Sequence, residues 1–246
     1  MKKKFLAGIA TATMVAGLLT NTCFAQEVTK IYVDAGHGCK YTSSESENPY
    51  GFTSTGAEGE ALYAGGFANH LINSFNHTDR YEAVGISALT HPDGTVGDRE
   101  IFGNSGRREL FVASDYDIMI QIHYDFSQKP EDTGGHVIWS KNSKDSGILA
   151  YKIAKAMEDN GLRLCERVEN HISERNELTI YQEYTDKPII LIEVGFGTEN
   201  QLDHDYIRDK PTKRLFYKSI IEGTDAYLAY KNTREGEIIS DETEEN

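Results

Sequence analysis

The sequence predicts a single α/β domain, a twisted, mostly parallel sheet with helices on both faces. Three observations carry that expectation. Short β-branched apolar runs recur along the chain, helical periodicities lie between them, and no repeat, Pro-rich linker or composition break divides Lys30 from Lys231. That stretch spans about 200 residues, a usual size for one domain of this class.

The expected strands are Ile31-Tyr32-Val33, Ala83 to Leu89, Ile118 to Ile122, Val137-Ile138-Trp139 and Ile189 to Ile192. They are nearly continuous in apolar residues, as strands buried on both faces are, so Trp139 is expected in the core. A helix is expected where Ile148, Leu149, Tyr151, Ile153, Ala154 and Met157 recur at helical spacing, with Gly161 as its stop. Leu215, Ile220, Ile221, Ala226 and Leu228 mark a final helix. Strands alternating with helices argue for a parallel sheet covered on its faces.

The two ends of the chain read differently. Met1-Lys2-Lys3-Lys4 precedes an apolar run from Phe5 to Leu19, and Cys23 and Ala25 stand three and one before a potential cleavage point. Residues 1–25 are therefore expected to be an export signal. The run is short for a bilayer span, which takes about 20 apolar residues, so no membrane span is expected once it is removed. Acylation of Cys23 is the other option, but Thr20-Asn21-Thr22 before it is poor for a lipid-attachment site. At the other end, residues 232–246 close on Asp-Glu-Thr-Glu-Glu-Asn and are expected to be a disordered acidic tail.

Loss of Lys2, Lys3 and Lys4 with the signal takes the formal charge from −14 to −17. Such a surface repels nucleic acid and anionic membranes, and neither is expected as a partner. Cys39 and Cys165 survive maturation. Two thiols in an exported chain can pair, but spacing alone does not show that they meet. Both are expected to be free or structural.

Three of the expected strands end in a residue able to bind a metal or move a proton. His37 follows Val33-Asp34-Ala35-Gly36, His123 ends Ile118 to Ile122, and Glu193 ends Ile189 to Ile192. Ligands gather outside the carboxyl ends of strands in open α/β sheets. One His after a strand is ordinarily a hydrogen-bonded structural residue; the coincidence of three such groups points to a site. Glu60 joins them on a different argument. Ala64, Phe67, Ala68 and Leu71 follow it on one helical face, so Glu60 begins an apolar face where a carboxylate is costly unless paired or metal-bound. Two imidazoles and one carboxylate leave a fourth tetrahedral position for water, as catalytic zinc requires.

These residues carry a resemblance to a known family. Val33-Asp34-Ala35-Gly36-His37-Gly38, Gly59-Glu60 with Ala68 and Leu71, Ile122-His123, and Pro188 to Phe196 stand in the order found in the zinc-dependent N-acetylmuramoyl-L-alanine amidases. The chain resembles this group, amidase family three, over nearly all of Lys30 to Tyr230. The resemblance implies one zinc ion on His37, Glu60 and His123, with Glu193 as the catalytic carboxylate. It implies hydrolysis of the amide between N-acetylmuramic acid and L-alanine of peptidoglycan stem peptides. Peptidoglycan or muropeptides are then the partner, and a secreted or periplasmic location in a bacterial envelope is implied. The domain would run from residue 26 to 231. Some relatives carry a helical insertion that plugs the site; between Ser140 and Leu149 there is no room for one, and no activator is expected.

The chain departs from the family pattern at Cys39 and Lys40, where a second Gly is usual, at Gln121 in place of Ser, and at Glu183 in place of Arg. These changes bear on substrate contacts more than on the metal. His70, His77, His91, His136, His171 and His204 lack a second ligand at chelating spacing and are expected to be solvated or hydrogen-bonded. Arg107 and Arg108 are expected on a charged helix face. A zinc peptidase cutting within the stem peptide and a non-catalytic wall-binding protein are the alternatives. Glu193 argues against the second, since zinc binding alone does not need that further acid.

Overall fold

The structure, a computed structural model, describes residues 28–36, 60–85, 111, 115–178, 186–197 and 202–244, with the side chains of 61, 62 and 235–244 excepted. The export signal, His37, Cys39, His91, Arg107, Arg108 and Glu183 lie outside these residues. Among the described residues, no helix is long and apolar enough to cross a membrane.

The elements in chain order are β1 (Thr29–Ala35), α1 (Glu60–Asn76), β2 (Tyr81–Val84), β3 (Ile118–Asp125), β4 (His136–Ser140), α2 (Lys144–Asp159), β5 (Ile172–Arg175), β6 (Ile189–Phe196), α3 (His204–Arg208) and α4 (Lys210–Glu244). The strands form one six-stranded sheet in the order β2-β1-β3-β6-β4-β5. The four on the β2 side are mutually parallel, β4 runs antiparallel to β6, and β5 is parallel to β4. The expected single α/β domain with a mostly parallel sheet is therefore what the chain builds. β6 is buried along its whole length and β1 along its last five residues, which explains their unbroken apolar runs.

Side-chain alternation assigns the two faces. Val33, Ile120 and Ile192 point to the larger core, which they share with Phe67 and Leu71 of α1, Leu149 and Ile153 of α2, and Phe216 and Ile220 of α4. Tyr32, Met119, Ile138 and Leu191 point to the other face. There they meet Phe111, a residue in helical conformation whose ring stacks on Tyr32 at 6.4 Å.

Helix α2 starts where Ser143 caps it, its side chain accepting from Ser146 N at 3.2 Å. It stops before Gly161, whose φ of 73° is cheap only for glycine. Trp139 is half-buried rather than deep in the core, because β4 lies one strand from the sheet edge. Cys165 is buried and free. The backbone of α4 continues to Glu244, across the stretch expected to be a disordered tail. Near the start of that stretch, Thr233 Oγ1 donates to Ala229 O at 2.9 Å and Arg234 Nη1 donates to Tyr230 Oη at 3.2 Å.

Candidate metal centre at the carboxyl ends of the parallel strands

His123 and Glu193 are register partners on neighbouring parallel strands, so both side chains emerge on one face of the sheet. Beyond them the register shifts at a bulge, and pairing resumes between Asp125 and Phe196. Glu60 enters from α1, of which it is the first residue and only 3 % exposed. Its Oε1 lies 3.0 Å from His123 Nδ1 and accepts from Tyr124 N at 3.1 Å. A helix amino terminus favours a carboxylate at this point.

One ligand atom each from Glu60, His123 and Glu193 lies within 4.8 Å of the others, a group able to hold a metal ion. Imidazole and carboxylate donors suit zinc and related divalent ions. Glu193 Oε2 is buried and, among the described residues, has no hydrogen-bond partner. Burial first, then repulsion from Asp125 and Glu60, raises the Glu193 pKa well above the carboxylate range, and Arg175 opposes the shift only in part. Burial raises Asp125 as well. A cluster of buried acids of this kind fits a bound cation.

Three of the four expected site residues therefore meet. The fourth, His37, lies outside the described residues, but its chain neighbour does not. Gly36 sits at the end of β1 against the His123 imidazole, and a Cβ there would collide with Cε1, Nδ1 and Nε2 of that ring. Its N–H donates to Ile122 O at 2.7 Å, tying the end of β1 to β3 beside the site. Gly36→Ala is expected to push the His123 ring out of place. Metal affinity should fall about 10- to 100-fold while the circular dichroism spectrum is kept, as calorimetric titration with zinc would show.

One rung below His123, Gln121 Nε2 donates to Asp34 Oδ2 at 2.7 Å, and both are buried. Gln121, a departure from the family's usual Ser, therefore braces β1 against β3 beneath the site.

The sequence reading passes over two functional features of this rim. His136, the first residue of β4, is the antiparallel register partner of Glu193 and is 4 % exposed. Burial, then Arg175 and Arg167, push its pKa down to about 4, so the ring is neutral at pH 7. Gly135 before it passes so close to β6 that a Cβ would stand 2.7 Å from Glu193 O. Asp203, wholly buried, knots the same loops. Its Oδ2 accepts from Gly134 N at 2.6 Å and Phe196 N at 3.2 Å, while Oδ1 accepts from Arg163 Nη1 at 2.9 Å. The other described histidines are ordinary. His171 Nδ1 lies 3.2 Å from Cys165 O, His204 pairs with Asp205 at 3.0 Å, and His70 is exposed.

Fold and site together define a class: a single α/β domain with a buried carboxylate–imidazole group, able to hold a metal ion, at the carboxyl ends of its parallel strands. The model of one protein family, described as N-acetylmuramoyl-L-alanine amidase, matches residues 31–226. The chain belongs to that family. Its fold is shared with an N-acetylmuramoyl-L-alanine amidase from Clostridium difficile 630, at 21 % identity, TM-score 0.60, and coverage of 82 % of this chain and 97 % of that one. It is also similar to the catalytic domain of CwlV from Bacillus (Paenibacillus) polymyxa var. colistinus, with 17 % identity, TM-score 0.59, and 82 % and 99 % covered. The amidase Ami1 from Mycobacterium smegmatis superposes with TM-score 0.63 at 12 % identity, with 82 % and 97 % covered. No curated protein sequence matches the chain significantly.

Proposed function

We propose that this chain is a zinc-dependent amidase that hydrolyses the bond between N-acetylmuramic acid and the L-alanine of peptidoglycan stem peptides. The observation that carries the reading is the buried Glu193 carboxyl, whose Oε2 has no hydrogen-bond partner among the described residues, beside the Glu60–His123 pair within a chain of the amidase family. His37 completes the ligand set with Glu60 and His123, which the position of Gly36 against the His123 ring supports. One zinc ion held there would polarise the scissile carbonyl and lower the pKa of the attacking water toward about 7. Glu193 takes the proton of that water and delivers it to the leaving amine, and a carboxyl whose pKa is raised by burial serves both transfers.

Export with cleavage after Ala25 would deliver the domain to the envelope, in the periplasm or outside the cell. Only Lys141, Asn142 and Ser143 separate β4 from α2, which leaves no inserted plug at that point and supports activity without an activator. The test is digestion of cell-wall sacculi by mature protein alone. Release of intact stem peptides beginning with L-alanine, stopped by a chelator and restored by zinc, is the expected result. Fragments cut within the stem peptide would point to a peptidase instead. Wall binding with no release would point to a non-catalytic role.

A further inference from the structure

His136, Glu193 and His123 lie side by side on β4, β6 and β3, on one face of the sheet. Neighbouring strands are about 4.8 Å apart, so the two histidines flank Glu193 from opposite sides. The Glu60–His123 pair occupies the β3 side, and β1, which leads into His37, lies beyond it. This order gives the site a direction. The carbonyl of a scissile amide belongs at the β3 side with the metal donors. The leaving nitrogen belongs at Glu193, which protonates it. The chain that follows that nitrogen must then continue over β4.

What waits on β4 is a buried polar group that no described residue satisfies. His136 Nδ1 is buried and, among the described residues, has no hydrogen-bond partner. A buried imidazole nitrogen left unsatisfied costs stability, and such groups persist where function needs them. Gly135 is pressed on Glu193 O and Gly134 N is held by Asp203, so His136 is fixed relative to the strand that carries Glu193.

We propose that His136 is a second substrate-contacting residue, hydrogen-bonding the peptide on the amine side of the scissile bond. The group it takes is a neutral amide or carbonyl of the first peptide residue. A ring kept uncharged by burial and two guanidiniums matches a neutral partner better than a carboxylate. The assignment rests on the amidase reading, because it uses the direction that metal donors and proton shuttle impose.

The test compares wild type, His136→Phe and His136→Asn, the last placing a side-chain amide near the position of Nδ1. Zinc content should be equal in all three. His136→Phe should lower kcat/KM about 10- to 100-fold and weaken calorimetric binding of a stem peptide beginning with L-alanine about 10-fold, with His136→Asn recovering most of both. In the wild type, the His136 Nδ1 resonance should move when that peptide is added, a readout that does not depend on whether a variant folds. Unchanged peptide binding and turnover in His136→Phe, or an Nδ1 resonance that stays put at saturation, would overturn the assignment. If wild type releases no stem peptides from sacculi, it is the amidase reading that fails.

Discussion

Glu193→Gln is expected to lower turnover on sacculi by about 10²- to 10⁴-fold, the usual contribution of a positioned proton-transfer group. Glutamine keeps the shape and polarity of the side chain but can neither take nor return a proton. Zinc content, measured by elemental analysis, should stay at one ion per chain, because His37, Glu60 and His123 are the proposed ligands. A loss of zinc in this variant would make Glu193 a ligand and reassign the shuttle.

The same variant should change stability in a pH-dependent direction. The folded Glu193 pKa lies above its unfolded value, so between the two the folded state binds more protons. Stability of the metal-free protein then falls as pH rises from about 4.5 upward through the folded pKa. Glu193→Gln removes that loss. Its thermal midpoint should exceed that of metal-free wild type by more at pH 8 than at pH 4. Equal differences at both values would mean that the carboxyl is not held protonated by its surroundings.

Asp203→Ala is expected to destabilise the fold strongly although Asp203 touches no proposed metal donor. It strips the acceptor from two buried backbone N–H groups, those of Gly134 and Phe196, and the partner from Arg163. Leaving a buried backbone N–H without an acceptor costs about 1–3 kcal/mol each, while the half-exposed Arg163 guanidinium can turn to water. Urea denaturation should show a lower midpoint with an unchanged slope. Asp203→Asn keeps one carbonyl acceptor but turns an amide towards Arg163 or a backbone N–H, and should cost about 1–3 kcal/mol. Because the two N–H groups flank His136 and Glu193, residual folded protein should also turn over more slowly than wild type.

Much of this architecture was legible in the residues. β1, β3 and β6 announce themselves through unbroken apolar runs because both their faces are covered, and Glu60 through the helical spacing of Ala64, Phe67, Ala68 and Leu71. β5 was not legible, because Ile-Ser-Glu-Arg is a half-exposed edge strand of four residues with no apolar run to detect. The direction of β4 went unread as well, although a signal was present. Only residues 126–135 connect it to β3, and a parallel crossover takes about a dozen residues or more. His136 was passed over for that reason. Its neighbour is remote in the chain, and only the reversed strand brings the two together. Gln121 looked like a substrate-side change, and its bond to Asp34 depends on a strand register that residue spacing does not reveal.

The reversed β4 divides labour within one cleft. The proposed donor His123 and the proposed shuttle Glu193 hang from strands that end at the rim, whereas the residues beyond Glu193 are supplied by a strand that begins there, fed by the short segment 126–135. On the proposed function, changes in that segment would alter the β4 side of the rim and leave Glu193 and His123 in place, so preference and chemistry would be separable in this chain.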